Sequence, residues 1–448
     1  MTAPLRLLTG SLAALALWLA SVLPSAAQTI LRDAELERAL HELARPVIAA
    51  AGLSPASIRI YVLEDRTLNA FVVDGQTIVI HSGLLLKMDR PEMLQAVIAH
   101  EIAHIANGHL ARRAGNARAA RTAAIFGLAL AAAMTTQSPA AAGGIAMGTQ
   151  SSAARVFFGH TRAEEAAADQ AGVRYLARAN IDPSGMVEVL EIFRGQEVLN
   201  RGRQDPYVLT HPLTRQRVRA LKGFVAAFGE AEPTDPQAAY WYARGTAKLS
   251  AWLRNPAATL RRIDRNDRSD AALVARAVAN LRAANGRAAL DAVDALVAKT
   301  PRDPYAHELR GWILTETRNF GAAANAYARA AELAPREPLM LAGYGRALLA
   351  LDAPRHIAKA REVLIRARGQ DPFNPRLLRD LALAHAKSGE TGLAALATAE
   401  RYAMSGRLQD AAIHARRAAG ALPRGSTGWR RAEDILAVAR TQARRNGK

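Results

Sequence analysis

The stretch that decides the fold reads VIAHEIAH and spans residues 97–104. Side chains four residues apart lie on one face of a helix, so His100 and His104 can present two imidazoles to one metal ion. Glu101 points in another direction, which suits a carboxylate that takes a proton from a metal-bound water better than it suits a ligand. The pattern predicts a zinc hydrolase, although matches of five residues also occur in ordinary buried helices.

The residues around this stretch favour a helix. Asp89, Pro91 and Glu92 form a start that resembles a capping box, with Pro in the first turn. Apolar residues recur at helical spacing beyond them, and Gly115 offers a stop. We therefore expect one helix to run from near Asp89 to near Gly115.

A second acidic segment, TRAEEAAAD at residues 161–169, carries the other candidate site residues. On a helix Glu165 and Asp169 share a face. One carboxylate can be a third zinc ligand, while the other accepts a hydrogen bond from a ligand imidazole. Glu164 points elsewhere, and we expect it to be solvated.

The length, hydrophobic content and net charge of the chain indicate a folded protein of several domains. The 448 residues suffice for two or three domains, and 50% of them are hydrophobic, so a sizeable core is expected. The formal net charge is +19, from 59 Lys and Arg against 40 Asp and Glu. This charge fits either solvated Arg-rich helix faces or peripheral association with an anionic membrane surface. No motif interleaves aromatic with basic residues, so no nucleic-acid partner is expected.

Residues 1–27 have the features of a cleaved signal peptide. Arg6 precedes an apolar run at 12–23, and small residues at 25–27 form a cleavage site before Gln28. The run is too short to span a bilayer comfortably. The sequence has no cysteine, which excludes a lipid-anchored lipoprotein and disulfides. Together these features predict a periplasmic protein.

Strands are expected between an opening helix at 33–52 and the metal helix. Residues 57–63, 69–75 and 76–82 have strand-like patterns. A strand directly before a zinc helix can align an extended substrate through main-chain hydrogen bonds, so we expect this of 76–82. It could equally be one strand of a small sheet. The apolar and Gly-rich segment at 123–152 fits a lid beside the metal or a plain surface loop.

Helical repeats fill the carboxyl-terminal half. After a Pro- and acid-rich linker at 229–236, Pro304 and Pro338 lie 34 residues apart, which is the tetratricopeptide period. Small residues such as Gly311 fall where two helices of a repeat cross. We therefore expect a domain at 28–228 and an all-α solenoid at 229–448, with a concave surface for peptide segments or a partner protein.

Taken together, these motifs resemble those of the zinc metallopeptidases related to the prenyl-protein (CAAX) protease. The resemblance rests on HEIAH, on Glu165 with Asp169, and on the segments at 69–71 and 82–85. The export signal and the helical repeats make the chain most similar to the beta-barrel assembly-enhancing protease subgroup. This implies an α+β zinc metalloprotease domain, mostly helical with a small sheet, followed by a tetratricopeptide solenoid.

The resemblance also implies roles for the site residues. His100, His104 and Glu165 would hold one Zn2+ per chain, Glu101 would be the general base, and Asp169 would orient a ligand. His211 precedes Pro212, which disfavours helix and suits a loop. His211 could compete for the open metal position as a gate, donate to an oxyanion, or only anchor the turn.

Three further histidines are expected to support the site rather than bind metal. His81 and His160 are interpreted as hydrogen-bonded bystanders. His109 lies five residues past His104, off the metal-binding face, and is interpreted as structural support.

The function predicted for the whole chain is that of a periplasmic zinc-dependent endopeptidase in the quality control and assembly of outer-membrane proteins. Its substrates would be unfolded or misassembled envelope proteins, and the helical repeats could contact the outer-membrane barrel assembly machinery. The alternative is a chaperone or assembly adaptor in which zinc is mainly structural. Glu101 argues against the alternative, because a purely structural site needs no base.

Overall fold

The fold combines a small sheet with many helices. The computed structural model describes residues 29–109, 162–196, 199, 204–228 and 233–446. The predicted signal peptide, the segment at 123–152 and His160 lie outside these residues. Within the described part of the chain, no helix combines the length and apolarity needed to cross a bilayer.

Four strands form one mixed sheet in the order β1-β2-β4-β3. They are β1 (Ile30–Leu31), β2 (Arg59–Leu63), β3 (Ala70–Asp74) and β4 (Thr77–His81). Strands β2 and β4 are parallel, whereas β1 pairs antiparallel with β2 and β3 pairs antiparallel with β4. Every residue of β4 is buried, as expected for a central strand.

The position of β4 corrects one prediction. The segment 76–82 was expected to align substrate, but both edges of β4 are already hydrogen-bonded, to β2 and to β3. Its backbone groups are therefore committed to the sheet. In the described residues the strand at this edge of the sheet is β3, which comes one strand earlier in the chain.

Among the described residues, seven α-helices accompany the sheet. They are α1 (Ala34–Ala50), α2 (Ser82–Leu85), α3 (Pro91–Ala106), α4 (162–178), α5 (Ser184–Ile192), α6 (Pro206–Thr210) and α7 (Arg215–Ala226). The side chain of Asp33 caps α1 by accepting from the Leu36 amide, and Gly52 follows the helix with φ +76°. The opening helix predicted at 33–52 is thus confirmed.

Helix α3 carries the HEIAH motif through the core. It begins after Arg90, whose side chain makes no cap, so the capping role predicted for Asp89 is wrong. Pro91 opens the helix, where its missing N–H costs nothing. Every residue from Pro91 to His104 is buried. The helix ends at Ala106 rather than near Gly115.

Twelve helices form the all-α carboxyl-terminal part, which confirms the predicted fold class. They are α8 (Pro236–Leu253), α9 (Pro256–Arg262), α10 (Asp270–Arg282), α11 (Gly286–Lys299), α12 (Pro304–Glu316), α13 (Phe320–Leu333), α14 (Pro338–Ala350), α15 (Pro354–Gln370), α16 (Pro375–Lys387), α17 (Thr391–Met404), α18 (Leu408–Ala421) and α19 (Thr427–Asn446).

The repeat spacing follows from caps and small residues. Asp303 and Glu337 each accept a hydrogen bond at the start of α12 and α14, and Pro304 and Pro338 occupy the next position. A Cβ on Gly311 would lie 2.7 Å from the Tyr327 ring, so only glycine lets α12 and α13 pack this closely. The capped starts of α12 and α14 thus recur at the 34-residue period.

Helix α8, the first after the linker, packs into the core of the preceding part. A Cβ on Gly245 would lie 2.9 Å from the Ala39 Cβ on α1. The Tyr242 hydroxyl donates to the Met88 carbonyl at 2.7 Å, and Leu249 joins the same apolar cluster as α1 and α3. The boundary at residue 229 stays a prediction, but the two sides of the linker share one core.

Buried charges reinforce this junction. Arg244 on α8 is 1% exposed and donates to Glu35 at 2.5 Å and to Asp303 at 2.6 Å. Lys248 lies 2.8 Å from Asp33. Removing one partner of a buried ion pair costs about 3–5 kcal/mol, because the remaining charge stays desolvated. The start of α1 therefore depends on residues far along the chain for its charge balance.

Candidate metal centre

Four buried side chains converge beside α3. His100 and His104 come from α3, Glu165 from α4 and His211 from the residue after α6. Each offers one ligand atom, and these atoms all lie within 4.8 Å of one another. The structure thus brings together the three predicted metal ligands and His211.

The separations of the ligand atoms suit a small tetrahedral cation. His104 Nε2 lies 3.1 Å from His100 Nε2, and the Glu165 carboxylate lies 3.3 Å from His100 Nε2 and 3.4 Å from His104 Nε2. Ligands about 2.0–2.1 Å from a tetrahedral zinc stand about 3.3 Å apart. Two imidazoles and a carboxylate are also a donor set that zinc prefers. Both spacing and chemistry therefore fit zinc.

His211 stands at the fourth corner of this cluster. Its Nδ1 lies 3.3 Å from His100 Nε2 and 3.0 Å from the nearer Glu165 oxygen. Helix α6 ends one residue earlier, because Pro212 prevents its continuation. The His211 amide still donates to the Tyr207 carbonyl at 2.8 Å, which holds the ring over the cluster.

Glu101 and the other nitrogen of His211 face each other. Glu101 Oε1 lies 3.5 Å from His211 Nε2, and both atoms are buried. Neither atom has a hydrogen-bond partner among the described residues. A buried polar atom without a hydrogen-bond partner destabilises the folded protein. Two such atoms side by side therefore indicate that a ligand or a reacting group occupies the space beside them.

Asp169 holds the outer nitrogen of His100. Asp169 Oδ1 lies 3.0 Å from His100 Nδ1, so the imidazole is turned with Nε2 towards the cluster. Arg217 on α7 in turn donates to both Asp169 oxygens, at 2.7 and 2.9 Å, and its third nitrogen lies 3.0 Å from Glu165. Arg217 fits the family resemblance of the residues after Thr210, but its pairing with Asp169 was not predicted, because the two residues lie 48 positions apart.

The surroundings of the cluster favour positive charge at its centre. Burial alone lowers the pKa of His100, but its hydrogen bonds with Asp169 and Glu165 outweigh burial and raise that pKa to about 9. Burial raises the pKa of Glu165, yet His211 and His100 outweigh it and hold that pKa well below its usual value. A divalent cation supplies the charge that these carboxylates stabilise.

Three residues predicted to lie outside the metal site differ in their burial and contacts. His81 forms a 3.0 Å contact with the Thr67 hydroxyl, outside the cluster, as expected of a bystander. Glu164 is buried, so the prediction that it is solvated is wrong. His109, predicted to give structural support, is not part of the cluster, and its Nδ1 lies 2.9 Å from His104 Nδ1.

Comparison with known proteins agrees with this geometry. Residues 31–225 match peptidase family M48. The putative beta-barrel assembly-enhancing protease of Vibrio cholerae is 29% identical over 191 residues, which cover 43% of this chain and 39% of that protein. The beta-barrel assembly-enhancing protease of Escherichia coli K12 is 26% identical over 189 residues, covering 42% of this chain and 39% of that protein. The matches thus span about two fifths of the length of these relatives.

The structure was also compared with solved structures. A thermophilic tetratricopeptide protein of Thermus thermophilus is 20% identical and covers 38% of this chain and 99% of that chain, with a TM-score of 0.26. A similarity at that level carries no argument about function. The family match in contrast includes every residue of the metal cluster. Residues 31–225 are thus similar to peptidase family M48.

Proposed function

We propose that this protein is a periplasmic zinc-dependent endopeptidase. The observation that carries the proposal is the convergence of His100, His104 and Glu165 at zinc-like spacing, with Glu101 beside them. Bound zinc supplies a Lewis acid and lowers the pKa of a coordinated water to about 7. In this proposal the three residues hold the metal, and Asp169 orients His100.

Glu101 is suited to the role of general base. It follows His100 directly on a fully buried helix, so its carboxylate is fixed beside the metal ligands. Its Oε1 atom has no hydrogen-bond partner among the described residues. A base must lie within reach of the proton that it abstracts, and an occupied lone pair would weaken it. Glu101 would therefore take the proton from the attacking water.

Strand β3 is our candidate for aligning the substrate. It is one of the two edge strands of the described sheet, and the loop before it is joined to α6 by a hydrogen bond from the Tyr207 amide to the Leu68 carbonyl, at 3.1 Å. An extended peptide can pair with such an edge through main-chain hydrogen bonds. Val73 on β3 and Leu209 on α6 are 51% and 46% exposed, and they offer apolar surface to client side chains.

The proposed clients are unfolded or misassembled envelope proteins. Such clients expose extended, apolar segments, which suit an edge strand with apolar neighbours. The names of the relatives found by comparison support a role in outer-membrane protein assembly. The signal-peptide features at 1–27 support the periplasm. The helical repeats offer a surface for the barrel assembly machinery.

The direct test is digestion of casein by the purified mature protein. We expect cleavage that stops on treatment with a strong chelator and returns when zinc is added back, because zinc held by His100, His104 and Glu165 would supply the Lewis acid. The digest should be followed by gel electrophoresis and by release of new amino termini. Undiminished digestion by protein shown to be free of metal would refute the proposal.

One observation favours a second function, that of an adaptor with structural zinc. Structural zinc sites are closed by four protein ligands, whereas catalytic sites keep one position open. With His211 Nδ1 at the fourth corner, this cluster offers four. The closed arrangement also suits a protease held inactive by its own side chain, and Glu101 beside His211 favours that interpretation.

Replacing His211 by Ala separates these alternatives. We expect basal and self-cleavage to rise several-fold, because removal of the ring opens the fourth position to water. Cleavage should be measured on casein and on the protein itself, together with zinc content. His81→Ala is the matched control, since His81 is a buried histidine outside the cluster.

The other outcomes of His211→Ala are equally informative. Loss of zinc without any gain in cleavage would favour the adaptor. A fall in activity with zinc retained would make His211 a donor to the oxyanion rather than a gate. Unchanged activity and unchanged zinc affinity would show that His211 only anchors the turn before α7.

A further inference from the structure

The metal helix ends shortly before His109, at a turn of two residues. On a continuing helix, a residue five positions after His104 would lie about 140° around the axis from it. Instead, α3 ends at Ala106 and Gly108 adopts a left-handed conformation with φ +64°. His109 is consequently folded over His104, where it is 2% exposed. The two Nδ1 atoms lie 2.9 Å apart.

The direction of this hydrogen bond follows from the orientation of His104. Its Nε2 faces the cluster, 3.1 Å from His100 Nε2. A nitrogen that binds metal carries no proton, so the proton of a neutral His104 must reside on Nδ1. His104 Nδ1–H therefore donates, and His109 Nδ1 accepts. His109 must then be the neutral tautomer that carries its proton on Nε2.

We propose that His109 is a positioning residue that fixes the ring orientation and the tautomer of His104. It plays the part for His104 that Asp169 plays for His100, whose Nδ1 lies 3.0 Å from the Asp169 carboxylate. Such partners outside the ligand shell typically change metal affinity by about 10–100-fold. The proposal rests on the proposed zinc site, and it assigns a function to a histidine that is not itself part of the cluster.

The test compares two substitutions in the full mature chain. His109→Asn keeps an acceptor, because the side-chain oxygen of Asn can take the place of Nδ1. His109→Leu has a similar bulk and no acceptor. We expect zinc affinity, measured by competition with a chelating dye, to fall about tenfold or more in His109→Leu. His109→Asn should remain close to the unaltered protein.

A second readout reports the hydrogen bond itself. In zinc-loaded protein with 15N-labelled histidine, the Nδ1–H proton of His104 should give a downfield NMR signal. That signal should persist in His109→Asn and should shift upfield or exchange away in His109→Leu. Thermal unfolding of the metal-free proteins shows whether the two variants differ only in metal binding.

Gly108 provides an independent route, useful if His109→Leu does not fold. Ala is strained at φ +64°, whereas Asn tolerates this conformation. Gly108→Ala should displace His109 and weaken zinc binding, and Gly108→Asn should not.

The outcomes distinguish this inference from the proposed function. Equal zinc affinity of the Leu, Asn and unaltered proteins would overturn the role of His109 alone. Equal weakening by Leu and Asn would overturn it as well, since the ring would then matter only for packing. Failure of the unaltered protein to bind zinc would overturn both proposals.

Discussion

Replacing Glu101 by Gln is expected to abolish peptide hydrolysis while zinc stays bound. Gln has almost the same shape as Glu and leaves His100, His104 and Glu165 in place, but it cannot accept the proton of the attacking water. General-base catalysis typically contributes about 10²–10⁴-fold, so residual cleavage should fall by at least two orders of magnitude. Casein digestion and metal analysis of the same preparation measure both quantities.

The control for this variant is His81→Ala, which alters a buried histidine outside the cluster and should keep full activity. Cleavage at the rate of the unaltered protein by a metal-loaded Glu101→Gln protein would exclude Glu101 as the base. Loss of zinc from the variant would instead show that Glu101 binds the metal.

Replacing Glu165 by Gln should remove zinc itself. A neutral amide is a much poorer zinc ligand than a carboxylate, and the change leaves the cluster with imidazoles alone. It also deprives Arg217 of one of its two carboxylate partners. We expect zinc affinity to fall by at least about 100-fold, beyond the usual effect of losing a partner outside the ligand shell. Dye competition and metal analysis measure the change.

Glu164→Gln is the matched control, because Glu164 is the preceding residue on the same helix, is also buried, and does not belong to the cluster. It should retain zinc. Full zinc occupancy in Glu165→Gln would reassign the third ligand to another residue.

Local patterns predicted the metal helix and the acidic helix because both depend on helical spacing. His100 and His104 share a face of α3 wherever that helix lies. Glu165 and Asp169 share a face of α4 for the same reason. The contact between the two helices depends on tertiary packing, and only the resemblance to known metallopeptidases supplied it.

Features that depend on distant contacts were predicted poorly. The order β1-β2-β4-β3 places β4 between two strands, and alternation within a strand does not reveal which strand lies at an edge. The contact of His109 with His104 was not predicted, because it depends on the left-handed Gly108. The pairing of Arg217 with Asp169 was not predicted, because Asp169 lies 48 residues away in the chain.

The ion pairs at the start of α1 affect the order in which parts of the chain can fold. Glu35 pairs with Arg244, 209 residues later, and Arg32 pairs with Asp371, 339 residues later. A chain that emerges from its amino terminus cannot form either contact until those residues have been made. Closing loops of this length also costs conformational entropy before the contact stabilises anything. The residues around the start of α1 are therefore among the last to reach their final surroundings.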